Sequence, residues 1–513
     1  MSTAEHDGGR PRASRGALAL AGVVAAASGV ALSQAVAGAL RADSSPVEAV
    51  ATTVRDLTPG PLAVSLVHLV GHLDKPLLLG GTAVVLLATC AYAATWARRF
   101  PLVPDLVFFA LAALGLAAVL RTPHSGTGAV VAVVVGLVTW LVVFRLLTTP
   151  LLERAPRAPD ARRRSILLRG AAVLGTVTAL SVAGRAVGSG RRKAENARRG
   201  LRLPVRQGVE PAGADLGVSG IAPWRTPASQ FYLIHTALVP PAIAPADWRL
   251  RIHGMVDREV TVTYQDLLDR TLTEAWVTIC CVSNEVGGDL IGNAWWSGVL
   301  IRDLLAQAGV RPGADAVKQT SQDGWTCGTP LGALTDPKRN AMLAVAMNGQ
   351  PLPLEHGFPV RMIVPGLYGY VSATKWVVDL EVTRFDRFSA FWTERGWSPK
   401  GPVKTESRVD VPRDGSAVKA GTVRVGGSAW AQHTGIAKVE FQVDGGPWQE
   451  AELGRVPNAD TWVQWSGTVQ VRPGDHQVVV RATDRSGYTQ TAARADVLPD
   501  GATGWDARSF TAT

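Results

Sequence analysis

Three stretches in the second half of the chain carry residue types that can do chemistry. The first is Thr278-Ile279-Cys280-Cys281-Val282-Ser283-Asn284-Glu285-Val286-Gly287-Gly288, which reads as a strand running into a glycine-containing loop. A thiol at such a junction can project into a cavity. Alternation along a strand sends Cys280 and Cys281 to opposite faces, so one serves the cavity and the other packs into the core; alternation alone does not choose between them. The second stretch runs from Pro351 to Arg361 and contains His356, and the third runs from Pro365 to Trp376 and contains Ser372, Thr374 and Lys375. Arg361 and Lys375 flank a Pro/Gly-rich connection. That suits two cations gripping one anionic group, the guanidinium forking onto phosphate and the ammonium acting as a point charge. Taken singly, each is an ordinary surface charge; taken with the cysteine loop, they outline a cofactor pocket. The other cysteines are Cys90 and Cys327, too few for a disulfide framework. In such a cysteine-poor chain a cysteine is either functional or a small buried hydrophobe.

The elements that must hold these residues belong to a mixed α/β region, placed at 207–398. Strand-like runs fall at 248–253, 275–282 and 360–364, and helical runs at 264–269 and 300–308. From 399 to 513 the pattern changes. Val439, Phe441 and Val443 alternate with polar residues before Asp444-Gly445-Gly446, and Val478, Val480 and Ala482 alternate before Asp484-Arg485-Ser486-Gly487. Short alternating strands between turn signals argue a β-sandwich. It holds no catalytic cluster, so its expected role is support or dimer contact, with Trp430, Trp448, Trp462 and Trp465 read as core.

The first 190 residues are rich in Ala, Val, Leu and Gly. Apolar stretches of about 20 residues, the length a spanning helix needs, occur at 16–40, 77–97, 102–120 and 126–144, and a weaker one at 166–187 contains Arg169 and Arg185. Five spans are expected. The loops after the second and fourth spans are basic, and Arg10, Arg12 and Arg15 precede the first. By the distribution of Lys and Arg, the N-terminus is cytoplasmic and everything after the fifth span lies outside the cytoplasmic membrane. Between Pro150 and Arg202 stand 13 Lys and Arg against three acids, an excess equal to the net charge of the whole chain, +10. The positive charge therefore flanks the membrane segment and is no nucleic-acid footprint. The segment 191–206 is expected to be a basic, solvated tether. Arg162-Arg163-Arg164 before the fifth span reads equally as a twin-arginine export signal or a positive-inside flank. His68 and His72 read as interfacial polar residues, since no histidine in a second span pairs with them as haem ligands would require.

The Cys281-x-x-Asn284 loop, the His356-x4-Arg361 segment and the Lys375-Trp376 pair resemble, in that order, the cofactor-domain motifs of the sulfite oxidase superfamily. The likeness covers about the last 280 residues. Gly427-Ser428-Ala429-Trp430 and Arg481-Ala482-Thr483-Asp484 resemble the immunoglobulin-like domain that follows in that family. The resemblance implies three parts: a transmembrane helical bundle, an α+β molybdopterin domain and an immunoglobulin-like sandwich. It implies a molybdenum–molybdopterin cofactor, with Cys281 as the metal ligand. His356, Arg361 and Lys375 would hold the pterin and its phosphate, and Ser372 and Thr374 would add hydrogen bonds. Tyr232, Asn284 and Ser321 also fall where relatives approach the cofactor.

The implied reaction is oxygen-atom transfer. Sulfite oxidases of animals and plants resemble one another in an arginine near the Phe231-Tyr232 segment that faces the anionic substrate; here that position carries Ile234, followed by His235, which can partly replace the cation with a pH-dependent charge. Sulfite oxidation is the family default. Reduction of S-oxides or N-oxides, resembling the periplasmic methionine sulfoxide reductase catalytic subunit, is the alternative. A non-catalytic tethered binding protein is the reading from a different class. A transporter does not fit, because the spans carry almost no internal charge and show no repeat. With no haem domain in the sequence, electrons would pass to a separate carrier, a cytochrome or a quinone-linked protein. The expected partners are that carrier, an oxyanion or S-oxide/N-oxide substrate, the lipid bilayer and a second copy of the chain.

Overall fold

The computed structural model describes residues 14–40, 42, 44–59, 73–122, 126–152, 175 and 190–513. The chain forms two compact units, Met1–Gly190 and Arg191–Thr513.

The first unit contains helices α1 (Arg15–Ala39), α2 (Pro46–Leu57), α3 (Asp74–Thr95), α4 (Val103–Arg121) and α5 (Thr127–Leu152). All but α2 are long and apolar enough to cross a membrane. Small residues let them approach closely: a side chain added at Gly29 of α1 would collide with Trp140 and the Gly136 carbonyl of α5. The Trp140 indole donates to the Ala26 carbonyl at 3.0 Å. Such backbone proximity is how helices associate where apolar surface alone gives no advantage. Asp105 of α4 pairs with Arg145 of α5 at 2.8 Å. Helix α2 falls where a plain loop was expected; Ser45 and Glu48 cap it reciprocally, a local hydrogen-bond exchange that sets a helix start. The expected fifth span, the triple arginine before it, and His68 and His72 lie outside the described residues.

The second unit opens with α6 (Gly190–Gly200), within the segment expected to be a solvated tether. The difference has a physical cause. Ala194 is fully buried, and the flanking charges find acids on the domain, Arg191 with Glu355 at 2.5 Å and Lys193 with Asp247 at 2.7 Å.

Strands β1 (Arg249–Gly254), β2 (Val260–Thr263), β3 (Thr273–Cys280), β4 (Ile291–Leu300), β5 (Ala316–Ser321), β6 (Thr326–Pro330), β7 (Met342–Met347), β8 (Gln350–Pro351), β9 (Arg361–Ile363) and β10 (Val377–Thr383) follow. Helix α7 (Tyr264–Leu268) lies between β2 and β3, and α8 (Ile301–Ala308) follows β4. Helix α9 (Leu331–Thr335) follows β6, and α10 (Gly369–Ser372) precedes β10. They build an α+β region with two sheets. One has the order β2-β1-β10-β5-β6; the other has the order β3-β4-β7-β8, with β9 also on β7. In the first, β1 and β10 are parallel and the remaining pairs antiparallel. All of the strand and helix runs read from periodicity appear within a few residues of their expected ends.

The last part is a two-sheet sandwich. Its strands are β11 (Glu406–Val411), β12 (Ser416–Val418), β13 (Gly421–Trp430), β14 (Ile436–Val443), β15 (Gln449–Glu450), β16 (Glu452–Leu453), β17 (Val463–Val471), β18 (Gly474–Asp484) and β19 (Asp506–Ala512). The sheet orders are β11-β13-β17-β16 and β12-β19-β18-β14-β15. Trp465 packs in the sandwich core, whereas Trp430 and Trp462 join the core of the α+β region. The boundary at 398/399 is thus one of strand pattern and not of packing. Trp448 is not core: it lies half-buried, under the Arg481 guanidinium at 4.1 Å and edge-on to Trp505.

Candidate active site

Strand β3 delivers the cysteines. The Cys281 amide donates to the Leu290 carbonyl at 2.9 Å, and the Asn284 amide closes the turn on the Cys281 carbonyl at 3.1 Å. The Asn284 side-chain oxygen accepts from the Leu290 amide at 2.8 Å, leaving its Nδ2 without a partner. Two sandwich arginines hold the far side of the loop: Arg508 donates to the Gly287 carbonyl at 2.7 Å and Arg408 to the Gly288 carbonyl at 2.9 Å. No local sequence signal predicts those contacts, which span more than a hundred residues.

The two thiols meet different surroundings. Both are pushed up by burial. Around Cys280 the nearby charges are Glu406 and Arg408 of the sandwich. Around Cys281, hydrogen bonds from Ser283 and the positive charge of Lys375 oppose the effect of burial. Cys280 is fully buried in the main core cluster, whereas Cys281 feels the charge of Lys375.

Arg361 and Lys375 form an isolated antiparallel bridge. Arg361 is 3% exposed. Its two terminal nitrogens donate to the carbonyls of His356 at 3.2 Å and Ala373 at 3.3 Å, and its guanidinium lies 5.1 Å from the Trp296 ring centroid. No carboxylate pairs with it among the described residues, and its Nε has no acceptor. Burial lowers its pKa to about 10, the effect expected of a cation removed from water without a counter-charge. Lys375 donates to the Glu355 carbonyl at 2.9 Å. Trp376 follows it with φ +52°, a left-handed conformation rarely taken by a bulky residue and of the kind that surrounding structure must impose.

His356 is buried; its Nε2 meets the Ala228 carbonyl at 3.0 Å, which fixes the proton there and leaves Nδ1 as an unpartnered acceptor. Burial, then the charges of Lys375 and Arg361, lower its pKa to about 4. Ser321 ends β5, opposite Val377 in register, and its buried hydroxyl has no partner. Tyr232 lies close to Gly369; burial and then the neighbouring Cys281 raise its pKa well above the usual value, so the phenol keeps its proton. The Phe231–His235 segment crosses the site, Phe231 edge-on to Trp296 and His356, and His235 edge-on to Trp376. Thr374 contacts the Cys327 thiol at 3.2 Å. Ser372 faces inward but turns its hydroxyl to the Leu367 and Tyr368 carbonyls, at 3.0 and 2.9 Å. Only its lone pairs remain for a ligand.

Four buried polar atoms thus lack partners in one region: Asn284 Nδ2, Ser321 Oγ, His356 Nδ1 and Arg361 Nε. Buried polar groups are nearly always satisfied. Donors, an acceptor and an uncompensated cation beside a thiol fit an anionic, hydrogen-bonding cofactor with a thiophilic metal.

Residues 236–392 match the family described as the oxidoreductase molybdopterin binding domain. The chain is 32% identical over 181 residues to the uncharacterized oxidoreductase YuiH of Bacillus subtilis, covering 35% of this chain and 87% of that protein. It is 31% identical over 296 residues to mitochondrial sulfite oxidase of the mouse, covering 48% of this chain and 54% of the relative. It therefore spans about half the length of such curated relatives. Among solved structures, the sulfane dehydrogenase SoxCD of Paracoccus pantotrophus aligns over 57% of this chain and 81% of its own, with a TM-score of 0.46 and 23% identity.

Proposed function

Since this chain belongs to the sulfite oxidase family of molybdopterin oxidoreductases, we propose that it is a membrane-anchored oxygen-atom-transfer enzyme with Cys281 as its metal ligand. The observation that carries this reading is Arg361, a buried guanidinium with no carboxylate partner among the described residues and a free Nε. A buried cation without a counter-ion is strongly disfavoured, and an anionic cofactor supplies the missing charge.

When bound, the molybdenum cofactor supplies a metal that exchanges an oxygen atom and two electrons with the substrate. The residues do the rest. The Cys281 thiolate is a soft ligand that the metal itself would deprotonate. Arg361 and Lys375 hold the phosphate, and Asn284 Nδ2 and the Ser321 hydroxyl donate to the cofactor. His356 Nδ1 would accept from it, and the Thr374 and Ser372 oxygens would add hydrogen bonds. Tyr232 keeps a proton beside Cys281, and His235, edge-on to Trp376, would face the substrate.

The family default makes the substrate a sulfite-type oxyanion. One observation favours the second reading, an organic S-oxide or N-oxide. Residues 227–246 contain no Asp, Glu, Lys or Arg. Within them Leu233, Ile234 and Val239 are about half exposed, at 50%, 48% and 49%. An uncharged segment with exposed apolar side chains, continuous with Phe231 and His235, which contact His356 and Trp376, favours a substrate with an apolar substituent over a small dianion. The apolar helices and basic flanks support a catalytic unit on the extracytoplasmic side of the cytoplasmic membrane. The sandwich is read as immunoglobulin-like, with a homodimer contact, and a cytochrome or quinone-linked carrier takes or gives the electrons.

The test uses the purified, cofactor-loaded full chain, assayed with sulfite and a one-electron acceptor, and in reverse with an alkyl aryl sulfoxide and a reduced viologen. Turnover of sulfite supports the first reading and turnover of the sulfoxide the second. Failure of both, and of an organic N-oxide in the same reductive assay, with molybdenum bound, would contradict oxygen-atom transfer.

A further inference from the structure

Three consecutive carbonyls of one turn hold three side chains of the cofactor region. In the short 3-10 turn Leu354–His356, the Leu354 carbonyl accepts from the Trp376 indole at 3.0 Å, and the Glu355 carbonyl from Lys375 at 2.9 Å. The His356 carbonyl accepts from Arg361 at 3.2 Å. The turn also carries His356 itself. Its position therefore sets the position of both cations and of the buried histidine.

The outer side of this turn is covered by α6. Arg191 pairs with the Glu355 carboxylate at 2.5 Å. Ala194 is fully buried in one apolar cluster with Phe231, Leu352, Leu354 and Phe358. Arg191, Glu195, Arg198 and Arg199 of the helix line one surface cavity with Pro353, Leu354 and Glu355 of the turn. Beyond the helix, Leu201 and Leu203 pack against the main core. The helix lies outside the matched residues 236–392 and directly follows the membrane half.

We propose that α6 is part of the cofactor grip: docked through Ala194, it fixes the Leu354–His356 turn, and Glu355 is the positioning residue, its carboxylate tied to the helix and its carbonyl to Lys375. This rests on the cofactor reading above. The ion pair is 56% and 37% exposed on its two sides, and exposed pairs contribute little, so the docking depends mainly on burial of Ala194 and the leucines that follow. Undocking the helix frees the turn to shift, and the two cations lose their common geometry with it.

The experiment measures how fast the full chain loses cofactor, as molybdenum remaining with the protein at intervals after dilution and gel filtration. Melting temperature is followed in parallel. Ala194→Asp places a charge against the apolar cluster; Asn196→Asp adds the same charge on the exposed face of the same helix and serves as control. Release at least tenfold faster in A194D, with N196D like wild type and the melting temperature of the domain retained, is the expected result. Should A194D fail to fold, Arg191→Glu decides, since that side chain is exposed; release two- to threefold faster is expected. Wild-type release rates in the folded variants would overturn the proposal while leaving the cofactor reading intact. A wild-type protein that never holds molybdenum would overturn both.

Discussion

Arg361 and Lys375 sit opposite each other on a single isolated bridge, one buried against Trp296 and the other anchored on the Glu355 carbonyl. Two like charges are brought together with no carboxylate at Arg361 among the described residues, an arrangement that is unfavourable until an anion arrives. The empty protein should therefore tolerate the loss of Arg361 well. In cofactor-free chain, Arg361→Met exchanges a desolvated charge with long hydrogen bonds for a linear apolar side chain. It should leave stability unchanged or raise it by about 1–2 kcal/mol. The same variant should hold less than a tenth of the wild-type molybdenum. Denaturant midpoints and metal analysis on one preparation check both; a loss of more than about 2 kcal/mol in the empty protein would instead make Arg361 a structural residue.

His356 gives a pH signature. Its pKa is about 4 in the folded chain against an ordinary 6.5. Above pH 6.5 both folded and unfolded forms are neutral and the residue contributes no pH dependence. As pH falls from 6.5 towards 4, the unfolded chain takes up a proton that the folded chain refuses, so stability declines by up to about 3 kcal/mol. The slope should appear in cofactor-free protein, persist when the cofactor donates to Nδ1 and so favours the neutral ring, and be reduced in His356→Asn. Unfolding midpoints at several pH values on that interval provide the measurement; an equal slope in the asparagine variant would assign the effect elsewhere.

The uncharged 227–246 segment predicts a change of preference. Ile234→Arg puts a cation on a side chain that is 48% exposed, so no charge need be buried. Relative kcat/KM for sulfite over an alkyl aryl sulfoxide should rise at least tenfold, mainly through KM for the anion. An unchanged ratio would mean that Ile234 does not face the substrate.

Packing across the strand-pattern boundary makes another prediction. The Trp462 indole donates to the Trp224 carbonyl at 2.8 Å, and the Trp224 indole donates back to the Trp462 carbonyl at 3.2 Å. The Trp462 amide donates to the Thr278 hydroxyl of β3, three residues before Cys281, at 2.8 Å. Trp462→Ala should cost about 3–5 kcal/mol and loosen the cysteine loop. Hydrogen exchange at residues 278–290 should accelerate with it. Loss confined to the sandwich strands would show that the two parts are energetically separate.

The cofactor class was legible in the sequence through the resemblance of three motifs, the Cys281 loop, the His356–Arg361 segment and the Lys375-Trp376 pair, and not through residue types alone. In the structure the Lys375 charge acts on Cys281, and those of Lys375 and Arg361 act on His356. The apolar helices were legible for a different reason, since composition alone sets them. What escaped were relationships between distant segments. Arg408 and Arg508 hold the Gly287 and Gly288 carbonyls, yet in sequence they are two strand residues among many. Helix α6 read as a solvated charge run because a single buried alanine carries no periodic signal. Trp376 gave no hint of its φ of +52°, a conformation imposed by neighbours on both sides. The Ser372 proton is used locally, a competition between side chain and backbone that spacing cannot reveal.

Ligation of molybdenum by Cys281 can be read from metal stoichiometry. The full chain, produced in a host that makes the cofactor, would be analysed by mass spectrometry beside Cys281→Ser and Cys280→Ser. About one molybdenum per chain is expected in wild type and in the folded Cys280 variant, with the metal lost in the folded Cys281 variant. Metal retained in Cys281→Ser and lost in Cys280→Ser would move the ligand to the core-facing thiol. A folded wild-type chain without molybdenum would contradict the account as a whole.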